Sequence, residues 1–263
     1  MANSQPNPLP LSVAIICKDA GATIERTLAS VKGLASEIVV VDSGSTDETL
    51  AIAERHGATV HREGWPGFAA QKNLAMSRCS KPWILCLDAD ESLDDACAQS
   101  IRDVIARSDA GDGYEVNRMV HWNGTPLRHA WHPEWRLRLV RAGAATWTGE
   151  RVHESLVLNN GTPTARLGGT VRHDAIGSIS DFLARQITYG RLSAETLAER
   201  GERGSVRKLV TSPVTAWLKM LIARRAYKDG WRGWVAASSV ALASIAKHAA
   251  LLELTRDAEQ RDG

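Results

Sequence analysis

Two carboxylates separated by a single alanine, Asp88 and Asp90, stand at the end of a hydrophobic run. Residues 83–87 (WILCL) are typical of a buried strand, on which successive side chains alternate between faces. Asp88 and Asp90 are therefore expected on one side, where their charges repel unless a cation or hydrogen-bond donors offset them. Hard oxygen ligands beside phosphate groups are the usual environment of Mg²⁺ and Mn²⁺. The pair predicts a divalent metal site, and the alternative is a solvated acidic turn, because D-x-D is a short and common pattern.

The first half of the chain alternates strands and helices, which predicts a mostly parallel sheet covered by helices. Residues 45–48 (STDE) have the capping-box pattern, and they predict a helix that ends at Gly57. Strands are expected at 11–17, 37–41, 58–61 and 83–87. Ligands of such sheets gather at the carboxyl ends of the strands. Polar residues follow three of these ends, and we expect one crevice to collect them: Lys18, Asp19, Asp42, Ser43, Asp88 and Asp90.

The pattern changes after Gly113, where strands are expected at 114–122 and 136–140. A hairpin is expected between 156–158 and 165–172, because an N-N-G turn lies between them. From Ser180 onward the chain is predicted to be helical, with later helices at 213–228 and 231–254. The sequence therefore predicts an α/β half at 1–112, a β-rich half of the same domain at 113–178 and a helical region at 179–263.

Composition places the 263-residue chain among ordinary globular proteins, with 44% hydrophobic and 24% charged residues. The net charge of +2 does not indicate a nucleic-acid partner. Residues 185–232, however, contain 11 Lys/Arg and 4 Asp/Glu, and a basic surface attracts phosphates or anionic lipid. The segment 1–10 has no signal-peptide pattern, and the apolar run 233–246 is too short for a membrane span. The four cysteines have no metal-site spacing, which suits a reducing compartment, and Cys17 and Cys86 in apolar runs are expected to be buried thiols.

Three motifs in order, VVDSGSTD at 40–47, QKN at 71–73 and LDAD at 87–90, resemble the inverting family-2 glycosyltransferases of GT-A fold. RLRL at 136–139 and VHES at 152–155 are similar to the lipopolysaccharide-core glucosyltransferases of the WaaE/KdtX type. The resemblance implies an α/β, Rossmann-like GT-A fold with a mostly parallel central sheet covered by helices and a C-terminal helical extension. It also implies that 1–112 binds a nucleotide sugar and that 113–178 forms the acceptor side.

By this resemblance Asp42 accepts a hydrogen bond from the base of a nucleoside diphosphate, and a charge that serves a helix N-terminus is the alternative. Lys18 and Asp19 are further nucleotide contacts, at a place where relatives often carry Asn-Glu. Lys72 stands where many relatives have arginine, near the diphosphate, and an exposed helical lysine is the alternative. The resemblance implies that Asp88 binds the ribose.

The resemblance assigns Asp90 to a Mg²⁺ or Mn²⁺ ion that bridges both phosphates and stabilises charge on the leaving diphosphate. Glu91 is interpreted as an acceptor behind the metal site or as an exposed acid. His173 with Asp174 is either a second metal ligand or a structural pair.

Inverting transfer also needs a general base that takes the proton of the acceptor hydroxyl. The resemblance points to Glu154, with Glu150 as the rival and an ion pair with an arginine as the alternative role. Arg136 and Arg138 share a strand face, where they contact phosphates or form a solvated basic surface, and His153 is assigned to the same acceptor or phosphate contacts.

The resulting hypothesis is a metal-dependent inverting hexosyltransferase that moves glucose from a UDP-sugar to a lipid-linked glycan such as the lipopolysaccharide inner core. Trp217, Trp231 and Trp234 stand among basic residues, which predicts a segment at the membrane surface on the cytoplasmic face of the inner membrane. A helical bundle or an oligomer contact is the alternative for that region. The alternative functions are a polyprenyl-phosphate glycosyltransferase and a non-catalytic nucleotide-binding or membrane-scaffold protein of the same fold. No G-x-G-x-x-G follows the first strand, which argues against a nicotinamide dehydrogenase.

Overall fold

The computed structural model describes residues 7–149 and 154–261. The chain divides into two compact units. The first, called the α/β unit, comprises Met1–Met119 and Glu134–Asp174. The second, called the helical unit, comprises Val120–Pro133 and Ala175–Gly263.

The strands and helices follow the predicted alternation over the first half of the chain. The strands are β1 Leu9–Cys17, β2 Ala35–Asp42, β3 Thr59–Arg62, β4 Trp83–Asp88, β5 Glu91–Leu93, β6 Gly113–Trp122, β7 Thr125–Pro126, β8 Glu134–Arg141, β9 Ala145–Thr148, β10 Ser155–Leu158, β11 Ala165–Arg166 and β12 Val171–Ile176. The α-helices are α1 Ile24–Val31, α2 Thr49–Arg55, α3 Phe68–Ser77, α4 Asp95–Ile105, α5 Ile179–Glu199, α6 Val206–Leu218 and α7 Trp231–Arg261. A π-helical turn, Lys219–Ala223, and a 3₁₀ turn, Ala226–Asp229, connect α6 to α7.

The central sheet has the strand order β3-β2-β1-β4-β8-β6-β12-β5. The first four strands are parallel, as the alternating pattern predicts. Along β1, Cys17 lies opposite Asp42 and Ile16 lies opposite Asp88. The carboxyl ends of β1, β2 and β4 therefore meet at one edge, where the site residues were expected.

The sheet of the α/β unit is buried on both faces. Alternate residues of β1 belong to different apolar clusters, with Val13 and Ile15 in one and Ala14 and Ile16 in the other. This alternation is what a strand covered on both sides requires, and it explains why residues 13–17 of β1 are all apolar.

In the second half of the sheet, β8 pairs antiparallel with β4 and with β6, and β12 pairs antiparallel with β5. Strand β8 pairs with β4, where Leu139 lies opposite Leu85, and β12 pairs with β5, where His173 lies opposite Glu91. These pairings place arginines of β6 and β8 and a histidine of β12 beside the ends of β4 and β5.

Three local predictions were wrong. Helix α2 begins at Thr49, because Asp47 accepts the Thr49 N–H and no capping box forms. The segment 156–158 pairs with β9 rather than with 165–172, so the expected hairpin is absent from the described residues. The predicted helix 213–228 instead begins at Val206 and gives way to the π and 3₁₀ turns after Leu218.

The helical unit packs around a core of its own, centred on the buried Trp122 and Phe182, whose ring centroids are 6.0 Å apart. A Cβ at Gly190 would lie 2.6 Å from the Ala243 carbonyl oxygen, so glycine permits the close approach of α5 to α7. Within α7, Trp231–Arg256 is long and apolar enough to cross a membrane by length and composition, with 28% of its apolar window buried. This apolar stretch is longer than the run 233–246 predicted from the sequence.

Gly169 should be irreplaceable where β12 approaches the start of α4. Its φ is +78°, and a Cβ there would press on the backbone nitrogen of Cys97 and lie 2.7 Å from the Ala96 carbonyl carbon. Gly57 has a similar φ of +76° but open space around it. We expect Gly57→Ala to cost about 1–2 kcal/mol of unfolding free energy from backbone strain alone. Gly169→Ala should cost about 1–3 kcal/mol more, because overpacking is added.

Urea unfolding of both variants followed by circular dichroism measures the difference. Equal losses in the two variants would contradict the close packing at Gly169.

Candidate functional site

Two cations hold the carboxylate of Asp88 at the end of β4. Lys72 Nζ lies 2.7 Å from Oδ1, and Arg138 Nη2 lies 3.2 Å from Oδ2. Both cationic side chains are buried, with 8% of Lys72 and 5% of Arg138 exposed. Lys72 is therefore not the exposed helical lysine of the alternative interpretation, and Arg138 is not part of a solvated basic face. The charge that offsets Asp88 comes from these side chains of α3 and β8.

Glu91 is fully buried and binds the guanidinium of Arg138, which also contacts Asp88. Its carboxylate accepts hydrogen bonds from Arg138 Nε at 3.1 Å and Nη2 at 2.9 Å, and from Arg118 Nη1 at 3.3 Å. It also accepts the backbone N–H of Asp88 at 3.2 Å. Burial alone would raise the pKa of Glu91, but the two guanidinium groups outweigh burial and hold that pKa below its ordinary value. Glu91 is thus an internal anchor, and its interpretation as an exposed acid was wrong.

Lys72 also reaches the candidate base. Its Nζ lies 3.1 Å from Glu154 Oε1 and 4.4 Å from the centroid of the Trp147 ring. The side chain of Asn73, the next residue of α3, donates from Nδ2 to the Trp147 carbonyl oxygen and accepts the Trp147 N–H at Oδ1, each at 2.9 Å. Strand β9 is thereby tied to α3, and the buried Trp147 ring covers the lysine. One cation consequently joins two carboxylates, Asp88 and Glu154, that are far apart in the sequence.

Asp90 faces a different partner, His173, whose Nε2 lies 3.3 Å from Oδ2. Burial would lower the pKa of His173, but the hydrogen bond and charge of Asp90 outweigh it and raise that pKa. Asp174 instead pairs with Arg172 at 2.7 Å and with Arg26. His173 and Asp174 therefore have separate partners, and the structural pair proposed from the sequence does not form.

The carboxylates at this edge suit a metal ion that the substrate helps to coordinate. Within 7–149 and 154–256, no three His, Cys, Asp or Glu side chains cluster as a metal cage. Both oxygens of Asp88 contact cations, whereas Asp90 is one-third exposed and has a single neutral or protonated partner. Mg²⁺ is commonly bound by one or two carboxylates together with substrate phosphates. The partly exposed carboxylate of Asp90 fits the protein's share of such a site.

Asp42 ends β2 and is almost fully buried. Its carboxylate accepts the N–H groups of Gly44 and Ser45, both at 3.0 Å, and the Ser45 hydroxyl. Burial would raise the pKa of Asp42, but these hydrogen bonds outweigh burial and lower it. Asp42 therefore shapes the loop after β2, and base recognition by this residue stays a prediction.

The loops after β1 and β2 are joined through Asp19. Its N–H donates to Ser45 Oγ at 2.8 Å, and its Oδ1 accepts the Thr46 N–H at 2.8 Å. Its φ of +47° lies in the left-handed region, which aspartate adopts more readily than most residues. Lys18 and Asp19 come directly after β1, so both residues lie at the predicted edge of the sheet. The side chain of Lys18 is exposed.

Of the remaining residues predicted for the site, the structure describes Arg136 but neither His153 nor Glu150. Arg136 is exposed, and its Nη2 donates to the Glu134 carboxylate at 2.6 Å. The same carboxylate also accepts a hydrogen bond from Arg118. His153 and Glu150 lie outside the described residues. Sequence reasoning missed Arg118 and Glu134, although their types could have suggested the cross-strand pair that they form in the register of β6 and β8.

With this geometry in place, similarity to known proteins decides the family. Residues 12–154, more than half of the chain, match the sequence model described as glycosyl transferase family 2. The chain belongs to glycosyl transferase family 2. The family-2 resemblance, the GT-A fold and the assignment as a glycosyltransferase are thereby confirmed.

Several proteins are similar to this family 2 glycosyltransferase. LpsC of Rhizobium meliloti, a lipopolysaccharide core biosynthesis glycosyltransferase, is 31% identical over 89% of this chain and 88% of its own. An uncharacterized glycosyltransferase of Rickettsia bellii is 32% identical over 93% of this chain and 87% of its own. A structure of glucosyl-3-phosphoglycerate synthase from Mycobacterium tuberculosis with Mn²⁺, UDP and glucosyl-3-phosphoglycerate has a TM-score of 0.46 and 16% identity, covering 75% of this chain and 82% of that chain.

Removing the buried anion should destabilise this glycosyltransferase strongly. Glu91→Gln leaves Arg138 buried with its main counter-charge lost, and breaking such a pair costs about 3–5 kcal/mol. The matched control is Glu63→Gln, because Glu63 and its partner Arg78 are both substantially exposed. That change should cost less than about 1 kcal/mol. Equilibrium urea unfolding measures both, and a loss at Glu91 as small as that at Glu63 would contradict the anchoring role.

Proposed function

We propose that this enzyme transfers glucose from a UDP-sugar, with inversion, to a lipid-linked glycan such as the lipopolysaccharide inner core. The observation that carries the proposal is the bridge from Asp88 through Lys72 to Glu154. It connects the strand-end carboxylate of the donor side to the candidate base of the acceptor side. The identity to LpsC over most of both chains supports the choice of acceptor. In this proposal 1–112 binds the donor, 113–178 forms the acceptor side and 179–263 associates with the membrane.

The donor binds at the edge shared by β1, β2 and β4. Asp42 receives the base, while Lys18 and Asp19 on the neighbouring loop add contacts to the nucleotide. Asp88 takes the ribose, and Lys72, whose charge lies 2.7 Å from Asp88, offsets the negative charge of the diphosphate. Preorganised cations at such a place stabilise charge that develops on a leaving group without reorganising during the reaction.

Asp90 would hold the divalent ion, Mg²⁺ or Mn²⁺. When bound, the ion would act as a Lewis acid toward the diphosphate. His173 keeps the Asp90 carboxylate oriented through the contact at 3.3 Å.

Glu154 is the general base of the proposal. Inversion requires the base and the leaving group to lie on opposite sides of the anomeric carbon, so the base must be separate from the donor carboxylates. The Lys72 contact at 3.1 Å fixes one oxygen of Glu154 and thereby orients the group. A base must lie within hydrogen-bond reach of the proton that it abstracts, so this orientation matters for the rate. Arg136 and His153 belong to acceptor or phosphate contacts, and Arg138 acts through Asp88.

Membrane association follows from the proposed acceptor. Trp231 and Trp234 are about half exposed, and Arg232 lies between them with its guanidinium 4.6 Å from the Trp231 ring centroid. Aromatic and basic side chains together are typical of membrane interfaces. We therefore place the enzyme on the cytoplasmic face of the inner membrane.

The assignment of the base is tested with two isosteric variants. Glu154→Gln should lower the transfer rate by about 10²–10⁴-fold, the usual contribution of a general base. Binding of UDP should be unchanged, because the donor contacts are intact. Glu150→Gln is the matched control and should retain activity. Initial rates with UDP-glucose and extracted lipid acceptors, including polyprenyl phosphates as a separate arm, provide the measurement.

A rate loss confined to Glu150→Gln would assign the base to Glu150 instead. Transfer to polyprenyl phosphate alone would overturn the proposed acceptor.

The metal assignment is tested by binding rather than by turnover. Mn²⁺ should increase the thermal stabilisation that UDP gives to the wild type, because a ligand bound only to the folded state stabilises it. Asp90→Asn should abolish this additional effect of Mn²⁺ and keep the effect of UDP alone. Asp103→Asn, on the exposed side of α4, is the control and should behave like the wild type. An unchanged Mn²⁺ effect in Asp90→Asn would place the ion elsewhere.

A further inference from the structure

The helical unit contains a cavity of its own. It has a volume of about 430 Å³ and is lined by α5, α6 with the following π-helical turn, and α7. Ligand sites in proteins commonly have volumes of about 300–1,000 Å³, so this cavity is large enough for a small ligand or a lipid headgroup. No residue of the transfer site described above lines it.

Most of the surface that lines the cavity is apolar, and its polar side chains are cationic, hydroxyl-bearing or a histidine. Lys219 and Lys247 contribute ammonium groups, and Ser212, Thr215 and Ser244 contribute hydroxyls. No acidic side chain lines the cavity among the described residues, and neither lysine forms a salt bridge within that part of the chain. Two uncompensated cations around a concave surface attract an anion.

A buried nitrogen without a hydrogen-bond partner among the described residues also points to a ligand in the cavity. His248 lines the cavity with only 6% of its surface exposed, and its Nδ1 has no hydrogen-bond partner among the described residues. Buried polar atoms of proteins are nearly always hydrogen-bonded, so an orphaned one calls for an explanation. Burial and the nearby Lys247 charge lower the pKa of His248, and the neutral ring can still donate one N–H.

The surroundings of the cavity favour a lipid over a free ion. Helix α6 and the turn after it expose large aliphatic side chains at every fourth position: Val206, Val210, Val214, Leu218 and Ile222. The segment 206–228 contains six basic residues and no acidic one. An apolar helical stripe with basic neighbours is typical of helices that lie at an anionic bilayer surface.

We propose that the cavity binds the phosphate of an anionic phospholipid headgroup, with Lys219 and Lys247 as counter-charges and His248 as a hydrogen-bond donor. The aliphatic stripe of α6 then contacts the acyl region of the same bilayer. The headgroup is recognised as a bound ligand, beyond the general attraction between a basic surface and a membrane. This inference goes beyond the proposed transfer reaction and does not depend on it.

The test uses the full chain and a soluble lipid. Dihexanoyl phosphatidylglycerol below its micelle concentration is titrated by calorimetry, since no charged surface is present under these conditions. We expect saturable binding to the wild type that Lys219→Gln/Lys247→Gln weakens by roughly tenfold or more, as expected for two lost counter-charges. Arg207→Gln/Arg224→Gln removes the same amount of charge from the helical unit, at residues that do not line the cavity, and should change the affinity by less than about twofold.

Two further measurements keep the outcome unambiguous. His248→Phe keeps a buried ring but removes Nδ1, and it should weaken binding of the lipid. This variant replaces the double lysine variant as the test if the latter proves unstable in thermal melts. Inorganic phosphate, titrated in parallel, should bind more weakly than the lipid. Equal affinities for phosphate and lipid, or equal losses in the two double variants, would overturn the proposal, and so would the absence of saturable binding by the wild type.

Discussion

The α/β unit depends on the neutralisation of acids that its topology forces together. Parallel pairing brings the ends of β1, β2 and β4 to one edge, where Asp88 ends β4 and Glu91 follows it. Burying such charges unpaired would be very costly, because a charge removed from water needs partners. Lys72 and Arg138 supply them, and both cations are themselves buried. Since buried ion pairs barely repay their desolvation, their value here lies in orientation more than in stability.

These cations arrive from elements that are distant in the sequence. Arg138 comes from β8 and Arg118 from β6, so the antiparallel half of the sheet neutralises the acids of the parallel half. Lys72 comes from α3 and is covered by Trp147 of β9. The site can therefore form only after both halves of the sheet have assembled, which couples the fold of the α/β unit to its chemistry.

The helical unit is organised by different forces. Its core is apolar and aromatic around Trp122 and Phe182, whereas its cavity is basic and α6 presents aliphatic side chains to its surroundings. A soluble helix normally turns its apolar stripe toward a core. Helix α6 departs from this pattern, because the aliphatic stripe on its exposed face has no core to pack against. Helix α6 is amphipathic because of where its aliphatic and basic side chains lie around the helix. The amino-acid composition of the region alone does not give these positions.

The sequence alone determined the parallel strands and the edge where Asp42, Asp88 and Asp90 lie, because apolar runs and strand alternation are local properties. It also determined the family, since three motifs in a fixed order can be read directly from the sequence. Only the tertiary structure decided that Lys72 is buried between Asp88 and Glu154, that Glu91 is an internal anchor and that 156–158 pairs with β9. The physical reason is that these outcomes depend on partners at distant positions. Helical and strand periodicity specify a face, and they do not specify which side chain of another element lies against it.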